Sequence, residues 1–454
     1  MSNRQETAKV ESRILGTWGH LAPNTYCERG EGVYLFDKEG KKTLDFTAGA
    51  LGVACIGYGD QRVTQAVVEQ MKKVSYFQRG FWLHERLEEL AERLIKVSPE
   101  NLKWCMFTSS GSDSSETAIK LAHQYHFERG KPTKYMVISR WQGYHGMTLG
   151  GLSASGMTNR RIKFDPLLFQ WPKIGAPLCY RCPWELNYPS CNILCARALD
   201  ELINQVGPDY VSAFMAEPIG GAATACMVPV PEYYPIIREI CNKHDVLFIV
   251  DEIVSGVGRT GKWFGINHWG VNPDIIVAGK ALNGGYAPLS AVLIDDRIGK
   301  LFKEKGVAFA HGFTLANNPV SSAACLAVLD IIEKEGLVER SATLGEYLHK
   351  QAREKLSYHP TVGNIRGKGL LMGIELVKNK ETKEPFNPTA LAAIRVHRIA
   401  RRKGIMVYPT TGVIQGIKGD QLLTSPAFII KHDEIDTALD ILDESLTEFE
   451  KEVF

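Results

Sequence analysis

Two apolar runs in this chain close on an ionisable side chain. In LFIVDEIVSGVGRTG the run Val246–Val250 ends at Asp251, and in PDIIVAGKALNGG the run Ile275–Ala278 stops just before Lys280. A charge at the end of a buried strand is costly unless it is paired, hydrogen-bonded or neutralised. A lysine desolvated there has a lowered pKa and can act as a nucleophile through an imine. The bland alternative is that Asp251 and Lys280 simply pair with each other. A third stretch, MFTSSGSDSSETAIKLA, reads as strand, then Ser109-Ser110-Gly111-Ser112, then helix. Backbone N–H groups and small hydroxyls at a helix N-terminus form an anion site, and the same residues also suit an ordinary capped helix. A fourth stretch, CYRCPWELNYPSCNILC, places Cys179, Cys182, Cys191 and Cys195 at C-x2-C-x8-C-x3-C. Four thiolates at short spacing can close a tetrahedral zinc site. The gap of eight is shorter than the usual ribbon spacing, and free thiols on a surface excursion are the plainer reading.

Bringing such groups together requires the carboxyl ends of several strands to meet, the place where open α/β sheets bind ligands. The strand patterns are Trp104–Thr108, Tyr135–Ser139, Val211–Ala216, Val246–Val250, Ile275–Ala278 and Ala291–Ile294. They alternate with helical patterns over Glu116–Phe127 and Tyr233–His244, the order of a mostly parallel α/β sheet. Upstream, GVYLFDKEGKKTLDF reads as a hairpin with Val33, Leu35, Leu44 and Phe46 alternating with polar residues. Two helices follow, Gln61–Lys72 with Val63, Ala66, Val67 and Met71 on one face, and Glu85–Val97. Downstream, a long helix Val320–Lys334 leads out of the sheet region. Helices at Leu344–Lys355 and Leu391–Lys403, with strands near Leu370–Leu376, Ile405–Pro409 and Gln421–Thr424, then resemble a smaller α+β domain. Its sheet is expected to take in the N-terminal hairpin. The expected division is residues 71–334 as the large domain, and residues 1–70 with 335–454 as the small one.

A phosphate turn, a buried acid and a buried lysine at three strand ends together fit a pyridoxal phosphate (PLP) enzyme, with the lysine in a Schiff base and the acid on the pyridine nitrogen. LFIVDEIVSGVGRTGKWFG followed by PDIIVAGKALNGGYAPLSAV makes the match specific. The chain resembles the class III, or omega-amino-acid, aminotransferases of fold type I, over about Trp18 to Phe449. The resemblance implies that Lys280 forms the Schiff base and moves the proton, while Asp251 keeps the ring nitrogen protonated. Ile253 and Tyr144 (in WQGYHGMT) pack on the two ring faces, with His145 and Gly146 shaping that turn. Ser110, Gly111 and Ser112 bind the phosphate, and Glu217 (in AEPIGG) contacts the cofactor near its 3-hydroxyl. Phe313 and Thr314 (in HGFTLANNP) reach the phosphate of a neighbouring subunit, which implies an obligate homodimer or a dimer of dimers. Arg366 matches a small-domain position, structural or substrate-binding. The implied reaction is ping-pong transfer from an omega-amino acid or amine to a keto acid, pyruvate first among the acceptors. Taurine, beta-alanine, 4-aminobutyrate and diamines are the donor classes.

The substrate side departs from the family pattern. A mobile arginine is common before the last strand of the small domain, but TTGVIQGIKGDQLLTSPAF holds only Lys418 as a cation. Gly49-Ala50-Leu51-Gly52 lacks a bulky aromatic, so Leu51 marks a roomier or differently shaped pocket. Phe77, Arg79, Phe81 and Trp82 lie in the segment that lines the pocket in the family, joined by Trp18. Arg79 is a candidate for an acidic substrate tail, with a solvated surface arginine as the plainer reading.

With 53 Lys and Arg against 51 Asp and Glu, the net charge of +2 gives no electrostatic case for nucleic acid or an anionic membrane. The N-terminus has no apolar signal core, and no run approaches ~20 uncharged apolar residues. Cysteines scattered in apolar sequence (Cys55, Cys105, Cys226, Cys241, Cys325) suit a reducing compartment, and the expectation is a soluble cytoplasmic enzyme. Two other functions compete. A PLP racemase, epimerase or aminomutase would share Lys280, Asp251 and the phosphate turn. A non-catalytic metal-binding scaffold built on the cysteine cluster is the other, and the intact Lys280 argues against it.

Overall fold

The structure, a computed structural model, describes residues 13–16 and 25–454; Trp18 lies outside the described residues. Three short strands come first, β1 (Cys27–Glu31), β2 (Tyr34–Asp37) and β3 (Lys42–Asp45). The expected hairpin is β2–β3, antiparallel with Tyr34 opposite Leu44. Seven strands follow: β4 (Leu102–Thr108), β5 (Met136–Arg140), β6 (Lys173–Ile174), β7 (Val211–Ala216), β8 (Leu247–Asp251), β9 (Ile275–Ala278) and β10 (Ser290–Asp295). They form one sheet in the order β4-β10-β9-β8-β7-β5-β6. Only β10 runs antiparallel to its neighbours β9 and β4. The mostly parallel α/β architecture is therefore present.

Strands β7, β8 and β9 are buried along their whole length, as expected of parallel strands covered on both faces. Their side chains divide by alternation. Leu247 and Ile249 join one core with Ala118, Leu121 and Ala122 of the helix Gly111–Glu128. Phe248 and Val250 join the other with Ile237 and Cys241 of Tyr233–Lys243 and Leu199 and Ile203 of Leu194–Val206. Each such side chain stabilises the fold by about 1.5–3 kcal/mol on burial. Helices on both faces leave the carboxyl ends of β4, β5, β7, β8 and β9 side by side along one edge of the sheet.

The C-terminal strands are β11 (Val362–Lys368), β12 (Leu371–Leu376), β13 (Ile405–Met406), β14 (Tyr408–Ile414) and β15 (Lys418–Thr424). The antiparallel sheet β11-β12-β15-β14 does not contain the N-terminal hairpin, contrary to expectation. The hairpin instead pairs through β3 with the short β13, in parallel. The run Ile405–Pro409 splits at Val407, whose carbonyl lies 2.7 Å from His397 Nδ1; β13 and β14 pair in different sheets. On the helix Gln61–Lys73 the expected inner Met71 is exposed and Gln70 is buried instead, where Gln70 Nε2 donates to the Val74 carbonyl at 3.0 Å. Strand β11 and the 22-residue helix His432–Val453 fall outside the sequence expectations. Among the described residues no helix is long and apolar enough to cross a membrane.

Candidate active site

Asp251 is the last residue of β8 and is buried. Its Oδ2 lies 2.7 Å from Nδ1 of His145, and its Oδ1 accepts from the Ile253 N–H at 3.1 Å. His145 is held in turn by its own N–H, which donates to Ser155 Oγ at 2.8 Å. Its other ring nitrogen, Nε2, is buried with no partner. The neighbouring Glu252 turns elsewhere and accepts from Ser255 Oγ, Gly265 N–H and Ile266 N–H at 2.6–2.9 Å. Alternation along the strand thus separates the acidic pair, giving Asp251 to the site and Glu252 to the scaffold.

Glu217 follows β7. Its Oε2 accepts from the Tyr144 N–H at 3.1 Å, and its Oε1 from the Gly221 N–H at 3.0 Å. Burial raises its pKa and Asp251 adds to the rise, while His145 and Arg140 oppose it. Arg140, at the end of β5, is itself buried. It donates to the Glu217 carbonyl at 2.5 Å and to the Tyr234 hydroxyl at 3.2 Å. Sequence reasoning missed this arginine, because nothing in ISRWQGYHG distinguishes it from a surface cation at a strand end.

Lys280 stands two residues past β9, with φ at +45°. That left-handed conformation costs on the order of 1–2 kcal/mol in a non-glycine residue. The following loop holds it: Asn283 Nδ2 donates to the Leu289 carbonyl, and Asn283 Oδ1 accepts from the Gly285 N–H, both at 2.8 Å. Burial lowers the pKa of Lys280, and the charges of Asp251 and Glu217 hold it back. The lysine therefore feels both acids, but neither forms a plain ion pair that would occupy it.

The Ser110–Ser112 turn closes the arrangement. Ser110 caps the helix Gly111–Glu128, its Oγ accepting from the Asp113 N–H at 3.2 Å. A Cβ on Gly111 would come within 2.9 Å of Ile253 Cδ1. A Cβ on Gly146, where φ is +116°, would come within 2.7 Å of Ser112 Oγ. Both positions need glycine because backbone and side chains approach so closely. The helix N-terminus, Ile253, the 144–146 turn and the two acids thus surround one region, with the orphaned His145 nitrogen in its wall. These residues fit a phosphate-bearing pyridine: N–H groups for the phosphate, a carboxylate for a ring nitrogen, and a lysine with a depressed pKa.

The substrate-side candidates are not gathered there on the single chain. Leu51, at φ +68°, packs with Ile219, Cys226, Leu371 and Leu423, so it reaches the loop that carries Glu217. Arg79 is exposed and faces Glu88 at 3.5 Å. Phe81 and Trp82 are 82% and 70% exposed. Phe313 is exposed at the edge of His311, and the Thr314 carbonyl accepts from the Tyr76 hydroxyl at 2.9 Å. Arg366 donates to the Thr224 carbonyl at 2.9 Å and to Glu375 at 2.7 Å. Cys179, Cys182, Cys191 and Cys195 line one small apolar pocket with Trp184. Among the described residues, however, no group of three or more His, Cys, Asp or Glu side chains is placed to hold a metal ion. Burial pushes the Cys195 thiol up to about 12, and raises Cys179 as well, so both suit protonated free thiols. Arg259, part of the matching GVGRTG stretch but given no role from the sequence, is buried and donates to the carbonyls of Leu370 and Pro426 at 3.0 and 2.5 Å.

The aminotransferase class-III family profile matches residues 18–446. The putrescine–pyruvate aminotransferase of Pseudomonas aeruginosa is 36% identical over 410 residues, 90% of this chain and 87% of that protein. The taurine–pyruvate aminotransferase of Bilophila wadsworthia is 32% identical over 450 residues, 96% of each. The structure of an amine transaminase from an uncultivated Pseudomonas species, in its PLP-bound form, superposes with a TM-score of 0.90 at 33% identity, covering 97% of this chain and 99% of that one.

Proposed function

The chain belongs to the class III aminotransferase family of PLP-dependent, fold type I enzymes, and from that premise we propose that it moves an amino group from an amine or omega-amino acid to a keto acid, with pyruvate as acceptor, in a ping-pong cycle. The observation that supports this most is a lysine with a depressed pKa beside two buried acids at neighbouring strand ends. PLP, when bound, supplies an electron sink for the carbon that loses its proton. In this reading Asp251 holds the ring nitrogen protonated, and His145 fixes the carboxylate that does so. Tyr144, Ile253 and Glu217 would hold the ring, and the Ser110–Ser112 turn would take the phosphate. Lys280, whose pKa burial lowers, would move the proton as general base and then acid.

The relatives' names give putrescine and taurine as donors and pyruvate as acceptor. For this chain we place the donor in that range, a primary amine or omega-amino acid. A second copy of the chain completes the assembly in this proposal. The exposed Phe81, Trp82, Leu83 and Leu315 support it, since apolar side chains on this scale mark an interface. The decisive experiment is an absorbance titration of the PLP-loaded protein with a panel of amines, followed by pyruvate. The expected result is that a donor changes the cofactor spectrum and pyruvate restores it with release of alanine. Inversion of a chiral amine without net transfer to pyruvate would replace this reading with a racemase.

A further inference from the structure

A keto acid brings a carboxylate towards a region that already holds Asp251 and Glu217, so a cation must meet it there. Four candidate cations lie or pair elsewhere. Arg79 is exposed and turned to Glu88, and Lys418 is exposed at the start of β15. Arg366 serves Glu375 and the Thr224 carbonyl. Arg140 is tied to the Glu217 carbonyl.

Arg160 differs. It lies half-buried on the short helix Thr158–Arg161. The segment before it is locked to the Tyr144 turn: the Gly156 N–H donates to the Gly143 carbonyl at 2.8 Å, and the Gln142 N–H to the Gly156 carbonyl at 3.2 Å. The helix is pinned from the other side by β14 and the turn after it. The Asn159 N–H donates to the Gly416 carbonyl at 3.2 Å, Asn159 Nδ2 to the Thr411 carbonyl at 3.3 Å, and Thr158 Oγ1 to the Gln415 carbonyl at 3.3 Å. Arg160 itself is hydrogen-bonded to the Tyr408 phenol. The Tyr144 phenol feels Arg160 as well as Asp251 and Glu217, so the guanidinium and the two acids act on one and the same ring. The adjacent Arg161 pairs with Asp165 at 3.0 Å and lies over the Trp141 ring, which leaves Arg160 as the member of the pair on the Tyr144 side.

On the transaminase reading above, we propose that Arg160 holds the carboxylate of the keto-acid acceptor, with Tyr144 and Tyr408 orienting its guanidinium. A diamine donor has no anionic group for Arg160 to meet, so the arginine serves the acceptor half of the cycle. The test compares the wild type with Arg160→Met and Arg160→Lys, using a diamine donor and two acceptors, pyruvate and propanal. In Arg160→Met, kcat/KM for pyruvate is expected to fall about 10- to 100-fold, mainly through KM, the range for loss of one charge-assisted contact. Propanal turnover and the donor half-reaction should stay unchanged, and Arg160→Lys should recover part of the pyruvate loss. Equal losses with both acceptors, or none with pyruvate, would overturn the proposal. Calorimetric titration with propionate, an unreactive carboxylate, keeps the two readings apart. Propionate binding at least tenfold weaker in Arg160→Met supports the arginine even if the wild type transaminates neither acceptor, an outcome that removes the transaminase reading alone; equal binding removes Arg160.

Discussion

Buried carboxylates occur in both the seven-stranded sheet and the C-terminal sheet, and their surroundings differ. Each carboxylate oxygen of Glu375, on β12, has its own guanidinium donor, one from Arg181 and one from Arg366. Around Asp251 and Glu217 the shell is incomplete. His145 Nε2 is buried without a partner, burial raises the pKa of Glu217, and Lys280 is depressed although two acids are near. A buried acid with both oxygens matched by cations is a packing device, even though Arg181 Nη2 is left buried without a partner. An unsatisfied cluster of polar groups with perturbed pKa values is the signature of a place that something else completes. The contrast distinguishes site from scaffold by physical state rather than by motif.

The strongest way to break it is Lys280→Ala. If Lys280 moves the proton, this variant should lose on the order of 10⁴-fold or more in kcat, measured as alanine formed from pyruvate by PLP-loaded protein. Turnover near the wild-type level would make the lysine scaffold. Asp251→Ala should cost less, about 10²- to 10³-fold, and should also loosen His145, which loses its 2.7 Å partner. A cofactor spectrum unchanged in that variant would move Asp251 to the scaffold class beside Glu252.

This contrast also explains what could be read in the chain beforehand. Asp251 and Lys280 sit where uninterrupted apolar runs stop, so period and chemistry coincide within a few residues. Ser110–Ser112 was legible because a turn rich in Ser and Gly separates a strand from a helix. Arg140 was not, since its partners Glu217 and Tyr234 lie 77 and 94 residues away in sequence. Arg259 links Leu370 and Pro426 across still longer separations. Strand β11, VGNIRGK, is mostly half-buried and shows no alternation to reveal it. The split of Ile405–Pro409 into two strands goes with pairing partners in two different sheets, which no hydropathy pattern encodes.

On the scaffold side, Glu375→Gln should cost about 3–5 kcal/mol, because it leaves Arg181 and Arg366 largely buried without a counter-charge. The measurement is the denaturant midpoint of the variant, with kcat per folded enzyme expected to hold. A fall in kcat without a loss of stability would place Glu375 among the functional acids.

Asp420 tests the boundary between the two classes with a smaller effect. It is buried on β15, where its Oδ1 accepts from the Ala393 N–H at 3.0 Å at the start of the helix Ala392–Lys403. Burial pushes its pKa from 3.8 to about 6. The folded state therefore holds the proton more tightly than the unfolded one. The resulting stabilisation is full below pH ~4 and is lost as pH rises through about 6, so at neutral pH the ionised form is a burden. Asp420→Asn keeps an oxygen for the Ala393 N–H and never ionises. It should leave stability at pH 4 nearly unchanged and raise it at pH 8 by about 2–3 kcal/mol, read from denaturant unfolding at the two pH values. A variant less stable at pH 8 would mean that the charge of Asp420 is used, and that the C-terminal sheet also holds an acid awaiting a cation.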